Sequence, residues 1–280
     1  MQVRRTLVRS GVRDRLLDRG WKRELTFLGR RERVYSIRVA QGCLGECTYC
    51  AIKFAAGPLH SKPLRTLLAK FDAGLARGYT QFRLIAGDLG CYGQDIGTNV
   101  VDLLSAMMAR SPGFQLTLLD FDLKWFIVYS DALVDLYVRH HAHVRSLLLP
   151  MQSGSERILQ RMRRGHTTKD ARRVLMALRE ACPDMTLESH VLVGFPGETE
   201  RDFEDTKDLL RAVRFDRVHF YDYQDRPGTE ASAMPEKVSR DVIEARSQRA
   251  RREFGGRWAA LEYKAQKWDV PLLCGRRSPR

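Results

Sequence analysis

The chain has 280 residues, enough for one large α/β domain or two small ones, and its 44% hydrophobic content can bury a core, which excludes disorder as the dominant state. The net charge of +14 sits at the ends: residues 1–38 hold 12 Lys/Arg against 4 Asp/Glu, residues 236–280 hold 12 against 6, and the middle is neutral. That excess is either a basic rim for a phosphate-bearing substrate or a solvated face; it does not decide the substrate. No apolar run reaches the roughly 18 residues of a membrane helix, and MQVRRTLVRS lacks the pattern of a secretory signal, so a cytoplasmic protein with no membrane partner is expected.

Along the chain, a basic helical extension is expected over 1–33. From Val34 to Pro235, short aliphatic runs alternate with amphipathic ones, the pattern of βα units on a parallel sheet. Strands are predicted at Val34–Ala40, Gln81–Ala86, Gln115–Leu119, Val144–Pro150, Thr186–Val193 and Arg217–Tyr223. Helices are predicted at Lys62–Arg77, Val100–Arg110, Asp131–Arg139, Ser155–Met162, Thr168–Ala181 and Glu200–Val213. A basic, Arg-rich helical tail is expected over 236–280. Each strand run ends in a segment rich in Gly, Cys, Asp or Gln, and parallel α/β folds build their sites at those strand ends.

Three of the six cysteines, Cys43, Cys47 and Cys50, are spaced C-x3-C-x2-C directly after the first strand. Three thiolates can hold three irons of a [4Fe–4S] cube and leave the fourth open. A structural zinc site wants four closed ligands, for which His60 is the nearest further candidate. Incidental buried thiols are the bland reading.

This spacing, with the aromatic Tyr49 before the last cysteine, resembles the radical SAM superfamily. The resemblance implies a partial six-stranded (β/α)6 barrel, a [4Fe–4S] cluster whose open iron takes S-adenosylmethionine (SAM), and reductive cleavage of SAM to a 5′-deoxyadenosyl radical. It also implies a one-electron reductant such as flavodoxin or ferredoxin. VAQGCLGECTYCAI, LIAGDLGCYGQDIG, PMQSGSERILQRMRRGHT, LVGFPGETERDFEDT and RPGTEASAMP are similar, in order, to the catalytic core of the methylthiotransferases. Carried over on these motifs, Gly87 and Asp88 grip the SAM ammonium, Gln152, Ser153 and Ser155 meet its ribose and carboxylate, and Leu192 and Gly194 flank adenine. Taken alone, PMQSGS is an ordinary helix N-cap and VGFPGE an ordinary turn.

Methylthiotransferases add an N-terminal domain with a second cluster and a C-terminal RNA-binding barrel, and neither pattern is expected here. Cys182 reads as a buried thiol. Cys91, with Tyr92 beside it, stands at the top of the second strand as a candidate catalytic residue. Together with Cys274 in the tail, Cys91 is a candidate ligand of an auxiliary cluster. His190 is a further catalytic candidate, and Asp120, Asp122, Lys124 and Glu188 are candidate substrate contacts, with solvated loop charge as the alternative. The expected function is sulfur insertion into a small, phosphorylated or nucleotide-like molecule in natural-product biosynthesis. The alternatives are methylthiotransfer to tRNA or a protein, a radical reaction without sulfur transfer, and an inert cluster-bearing RNA-binding protein.

Overall fold

The structure, a computed structural model, describes residues 33–110 and 113–255. Among the described residues, eight strands follow the chain: β1 (Val34–Arg38), β2 (Ala40–Gln41), β3 (His60–Ser61), β4 (Gln81–Ile85), β5 (Gln115–Leu118), β6 (Val144–Leu148), β7 (Thr186–Val193) and β8 (Arg217–Asp222). β1, β4, β5, β6, β7 and β8 join in that order in one parallel sheet, and β2 pairs antiparallel with β3. All six predicted strands are present, each within two residues of its expected ends.

The helices are α1 (Lys53–Ala56), α2 (Leu64–Ala76), α3 (Val100–Met108), α4 (Leu123–Val128), α5 (Ser130–Arg139), α6 (Glu156–Met162), α7 (Thr168–Ala181), α8 (Glu200–Val213), α9 (Glu230–Ala233) and α10 (Arg240–Phe254). Their starts follow local chemistry. Asn99 and Thr199 close capping boxes with Asp102 and Asp202, and Thr167 accepts the Asp170 amide, each satisfying donors a helix start leaves open. α4 was not among the predicted helices; the charged DFDLK stretch hides the fact that Asp122 is its N-cap, accepting the Lys124 amide.

Strand alternation sorts the sheet into two faces. Phe82, Leu84, Leu116, Leu118, Leu147, Val191 and Phe220 are buried on the core side. Phe71 of α2 meets Phe82 and Phe114 at 4.5 and 4.9 Å between ring centroids, a geometry contributing about 0.5–1.5 kcal/mol per pair beyond area burial. The opposite face is polar: the register carries Ser36, Arg83, Thr117, Ser146 and Thr186 across five adjacent strands.

α10 docks on the sheet. Ser247 Oγ donates to Asp222 at 2.6 Å, and Arg251 donates to the Phe220 carbonyl at 2.8 Å. Packing against the sheet thus continues beyond Pro235 through α10. Residues 1–32 and 256–280, with Cys274, lie outside the described residues.

Candidate functional site: the cysteine loop and its rim

The β2–β3 ribbon ties both ends of the cysteine loop, and Gly42 and Gly87 let that loop meet the end of β4. A Cβ on Gly87 would lie 2.5 Å from the Gly42 carbonyl oxygen, so the two backbones approach at a distance that no side chain allows. The loop is pinned from above. Thr48 donates through its amide to the Met162 carbonyl (3.1 Å) and through its hydroxyl to the Arg161 carbonyl (2.9 Å), and the Ala231 amide returns to Thr48 O (3.0 Å). Cys43, Cys47 and Cys50 stay partly accessible on this frame as free thiols.

The donors around these sulfurs suit a thiolate-ligated anionic group. The Gly45 amide points at Cys43 Sγ (3.1 Å), and Arg164 Nη1 lies 3.2 Å from Cys47 Sγ. Arg164 was not singled out from sequence. It follows α6 in MRRGHT, where Arg163 turns left-handed (φ 54°) and leaves Arg164 to enter the body. Asp122 pairs with it at 2.8 Å, with side-chain exposures of 5% for the arginine and 14% for the aspartate, and Nη2 donates to the Pro150 carbonyl at 2.9 Å. Burial opposes the charge on Arg164, but the Asp122 carboxylate beside it holds the guanidinium protonated. Its Nε has no partner among the described residues. The only sequence signal was a basic pair after a helix and an acid after the third sheet strand.

The structure redistributes several expected roles. Asp88 is buried, and its Oδ1 accepts the amides of Gly90 (2.8 Å) and Asp122 (3.0 Å), so this carboxylate joins the ends of β4 and β5. Burial, then the nearby Asp122, push it up to about 6. Asp122 orients Arg164 where a substrate contact was expected. Ser153 and Ser155 are buried: Ser155 caps α6 and donates to Asp202 at 2.6 Å, while Ser153 meets Thr206 at 3.3 Å. Both serve the α6–α8 junction, as the N-cap reading had it. Tyr92 is fully buried with its hydroxyl on the Lys62 carbonyl (2.9 Å), an anchor for its loop in place of a catalytic position.

Cys91 is also fully buried. Its thiol donates to the Asp88 carbonyl (3.2 Å) and groups with Cys43 and Asp88, their ligand atoms all within 4.8 Å of one another. It sits beside the core loop and has no open face of its own. The Cys43–Cys91 hydrogen bond, first among the causes, lowers Cys43 and raises Cys91. Cys182 is buried at the end of α7, as expected.

Gln152 and Asp120 both have left-handed backbones (φ 66° and 54°), a strain that non-glycine residues keep mainly at functional positions. Gln152 holds its place by exchanging backbone bonds with β7, its amide to His190 O (2.8 Å) and Leu192 N to its carbonyl (2.9 Å). On the polar face, His190 lies edge-on to His219 and Tyr221, with centroids 5.4 and 5.1 Å away. Burial and the neighbouring His219 lower it to about 4, so it is neutral at pH 7. Glu188 binds Arg217 (3.3 Å) and His219 (3.4 Å). The Lys124 ammonium rests over Trp125 at 5.1 Å. Leu192 and Tyr49 pack against the buried cluster that holds Phe195 and Tyr223 near the Gly194 turn.

A six-stranded parallel sheet with a C-x3-C-x2-C loop at its strand ends defines a class, and comparison places the chain in it. The Radical SAM superfamily profile matches residues 37–210, and the chain belongs to that superfamily. Among curated relatives, a probable threonylcarbamoyladenosine tRNA methylthiotransferase of Pyrococcus abyssi is 35% identical over 198 residues, 71% of this chain and 46% of the relative. The ribosomal protein uS12 methylthiotransferase RimO of Desulforudis audaxviator is 36% identical over 216 residues, 76% of this chain and 47% of the relative. The chain thus spans about half the length of these relatives. Among solved structures, the radical S-adenosylmethionine methyltransferase TsrM of Kitasatospora setae superposes with a TM-score of 0.56 at 18% identity over 72% of this chain and 39% of that one. Coproporphyrinogen III oxidase (HemN) of Escherichia coli gives 0.56 at 13% over 79% and 52%. No helix among the described residues is long and apolar enough to cross a membrane.

Proposed function

We propose that this chain carries the SAM-cleaving core of a methylthiotransferase-type enzyme that acts on an RNA base or a protein side chain. The observation that carries the reading is the buried Arg164–Asp122 pair beside the three-cysteine loop, on a chain whose 34–36% identical relatives share that activity in name. Cys43, Cys47 and Cys50 hold a [4Fe–4S] cluster with one iron left for SAM. When bound, the cluster supplies the electron that turns SAM into a source of a hydrogen-abstracting carbon radical.

The protein's own part is positioning. Arg164, locked by Asp122 and Pro150, keeps a positive charge beside Cys47 that offsets the negative charge of the thiolates and of the SAM carboxylate. Leu192 and the Gly194 turn flank adenine, with Phe195 filling the space behind. Tyr49 stays a neutral phenol, since burial raises it. Neutral His190 offers one ring N–H or one lone pair to substrate, so it orients without adding charge.

Sulfur insertion into a small polar metabolite is the second reading. The polar wall of Glu188, His190, His219 and Arg217 favours it, because such a face suits hydroxyls or phosphates. An auxiliary cluster on Cys91 loses support from that thiol's burial beside Cys43. Reconstituted protein, SAM, dithionite, sulfide as the sulfur source, and unmodified tRNA or ribosomal protein, followed by mass spectrometry of nucleosides and peptides, tests the proposal. A methylthio nucleoside or peptide is expected; SAM cleavage that leaves both tRNA and ribosomal protein unmodified would favour the small-molecule reading.

A further inference from the structure

α10 reaches the site through one turn. After β7, the Gly194 amide donates to Glu198 Oε2 (2.8 Å) and the Glu198 amide to Phe195 O (2.9 Å), so the turn closes on its own carboxylate. That carboxylate is 2% exposed, and a buried charge persists only with a partner. Arg246 of α10, 7% exposed, supplies it: Nη1 donates to Glu198 Oε2 at 3.1 Å and to the Glu198 carbonyl at 3.0 Å, and Nε to Glu200 at 3.2 Å. Ile243, three residues earlier, occupies the space a Gly194 side chain would need; a Cβ there would lie 2.2 Å from Ile243 Cγ1. Gly194 has φ 80°, so the turn and the helix require each other.

The far side of the turn faces the cysteine loop. Phe195 is fully buried between Tyr49 and Tyr223, with centroids 6.4 and 5.9 Å away. A continuous packed path therefore runs from Arg246 through Glu198, Gly194 and Phe195 to Tyr49.

We infer that α10 is part of the adenine side of the SAM site, with Arg246 the positioning residue that fixes the Gly194–Glu198 turn. The inference rests on the SAM-binding reading above. It separates the two halves of the ligand: loosening the turn weakens contacts to adenine, whereas the amino-acid half is held on the other side by the cluster loop and Arg164.

The test measures binding of 5′-deoxyadenosine and of methionine separately to the anaerobically reconstituted full chain, with iron content followed alongside. Arg246→Met is expected to raise the Kd of 5′-deoxyadenosine by about tenfold, equivalent to about 1.4 kcal/mol, with methionine affinity and iron content unchanged. Arg246→Lys is expected to restore part of the loss. Equal weakening of both halves, or unchanged binding of 5′-deoxyadenosine, would overturn the inference. Should Arg246→Met fail to fold, Glu198→Gln decides instead. It retains an acceptor for Gly194 but removes the ion pair, and the same split is expected; its absence counts against the inference. Wild-type protein that binds neither half would refute the SAM reading itself, whereas normal wild-type binding without a split in either variant refutes only the role of α10.

Discussion

Removing the charge from Asp122 tests whether Arg164 is held for function. The Asp122→Asn side chain keeps nearly the same shape but leaves a guanidinium 5% exposed without its counter-charge. Two unit charges about 4 Å apart attract by roughly 4 kcal/mol at an effective dielectric of 20, and removing one partner of a buried pair costs about 3–5 kcal/mol. A loss near 3 kcal/mol is expected for Asp122→Asn, because the amide oxygen retains a hydrogen bond. Urea unfolding of the iron-free protein reads that loss. The double variant Asp122→Leu with Arg164→Met removes both charges, and stability is expected to recover to within about 1.5 kcal/mol of wild type, as apolar replacement of buried pairs is often neutral. SAM affinity should not recover with it, since the positive charge beside Cys47 and Tyr49 is gone. A double variant that binds SAM like wild type, or an Asp122→Asn variant less than about 1 kcal/mol destabilised, would refute the reasoning.

Other outcomes follow from single residues. His190 is lowered from 6.5 to about 4, so the stability it contributes is complete above pH 6.5 and lost as pH falls towards 4, by up to about 3 kcal/mol. Glu188, His219 and Tyr221 face it, and His190→Gln should flatten the fall in urea midpoint between pH 7 and pH 5; an unchanged profile would count against the assignment. Gln152→Gly should relieve the left-handed strain and raise stability by about 1 kcal/mol while weakening SAM binding, and a variant losing both would place Gln152 in a purely structural role. Gly194→Ala should destabilise by more than about 3 kcal/mol through positive φ and the clash with Ile243, measured by thermal unfolding; a loss below about 1 kcal/mol would show that the turn relaxes.

The strand runs, the helix starts at Thr168 and Glu200 and the cysteine loop were legible because each depends on local pattern: period-two apolar residues, acidic or hydroxyl residues in a first turn, a fixed thiol spacing. What escaped was long-range pairing. Arg164 and Asp122 are 42 positions apart and meet only once β5 and the loop after α6 are in place. Arg246 and Glu198 resemble ordinary helix-surface charges until α10 docks. Sequence likewise does not display the partners that Asp88, Ser155 and Tyr92 find at the strand ends: the amides of Gly90 and Asp122 on Asp88 Oδ1, the α6 N-terminus on Ser155, and the Lys62 carbonyl on Tyr92.

The central claim is that the three-cysteine loop supports radical SAM chemistry. Its most direct test is 5′-deoxyadenosine formation by anaerobically reconstituted, dithionite-reduced protein supplied with SAM, quantified by liquid chromatography and mass spectrometry. Wild-type protein loaded with about four irons, the content of one cube, should form it, and the variant with Cys43, Cys47 and Cys50 replaced by Ala should not. Fully loaded wild-type protein that forms none, or a triple variant that still forms it, would contradict the account.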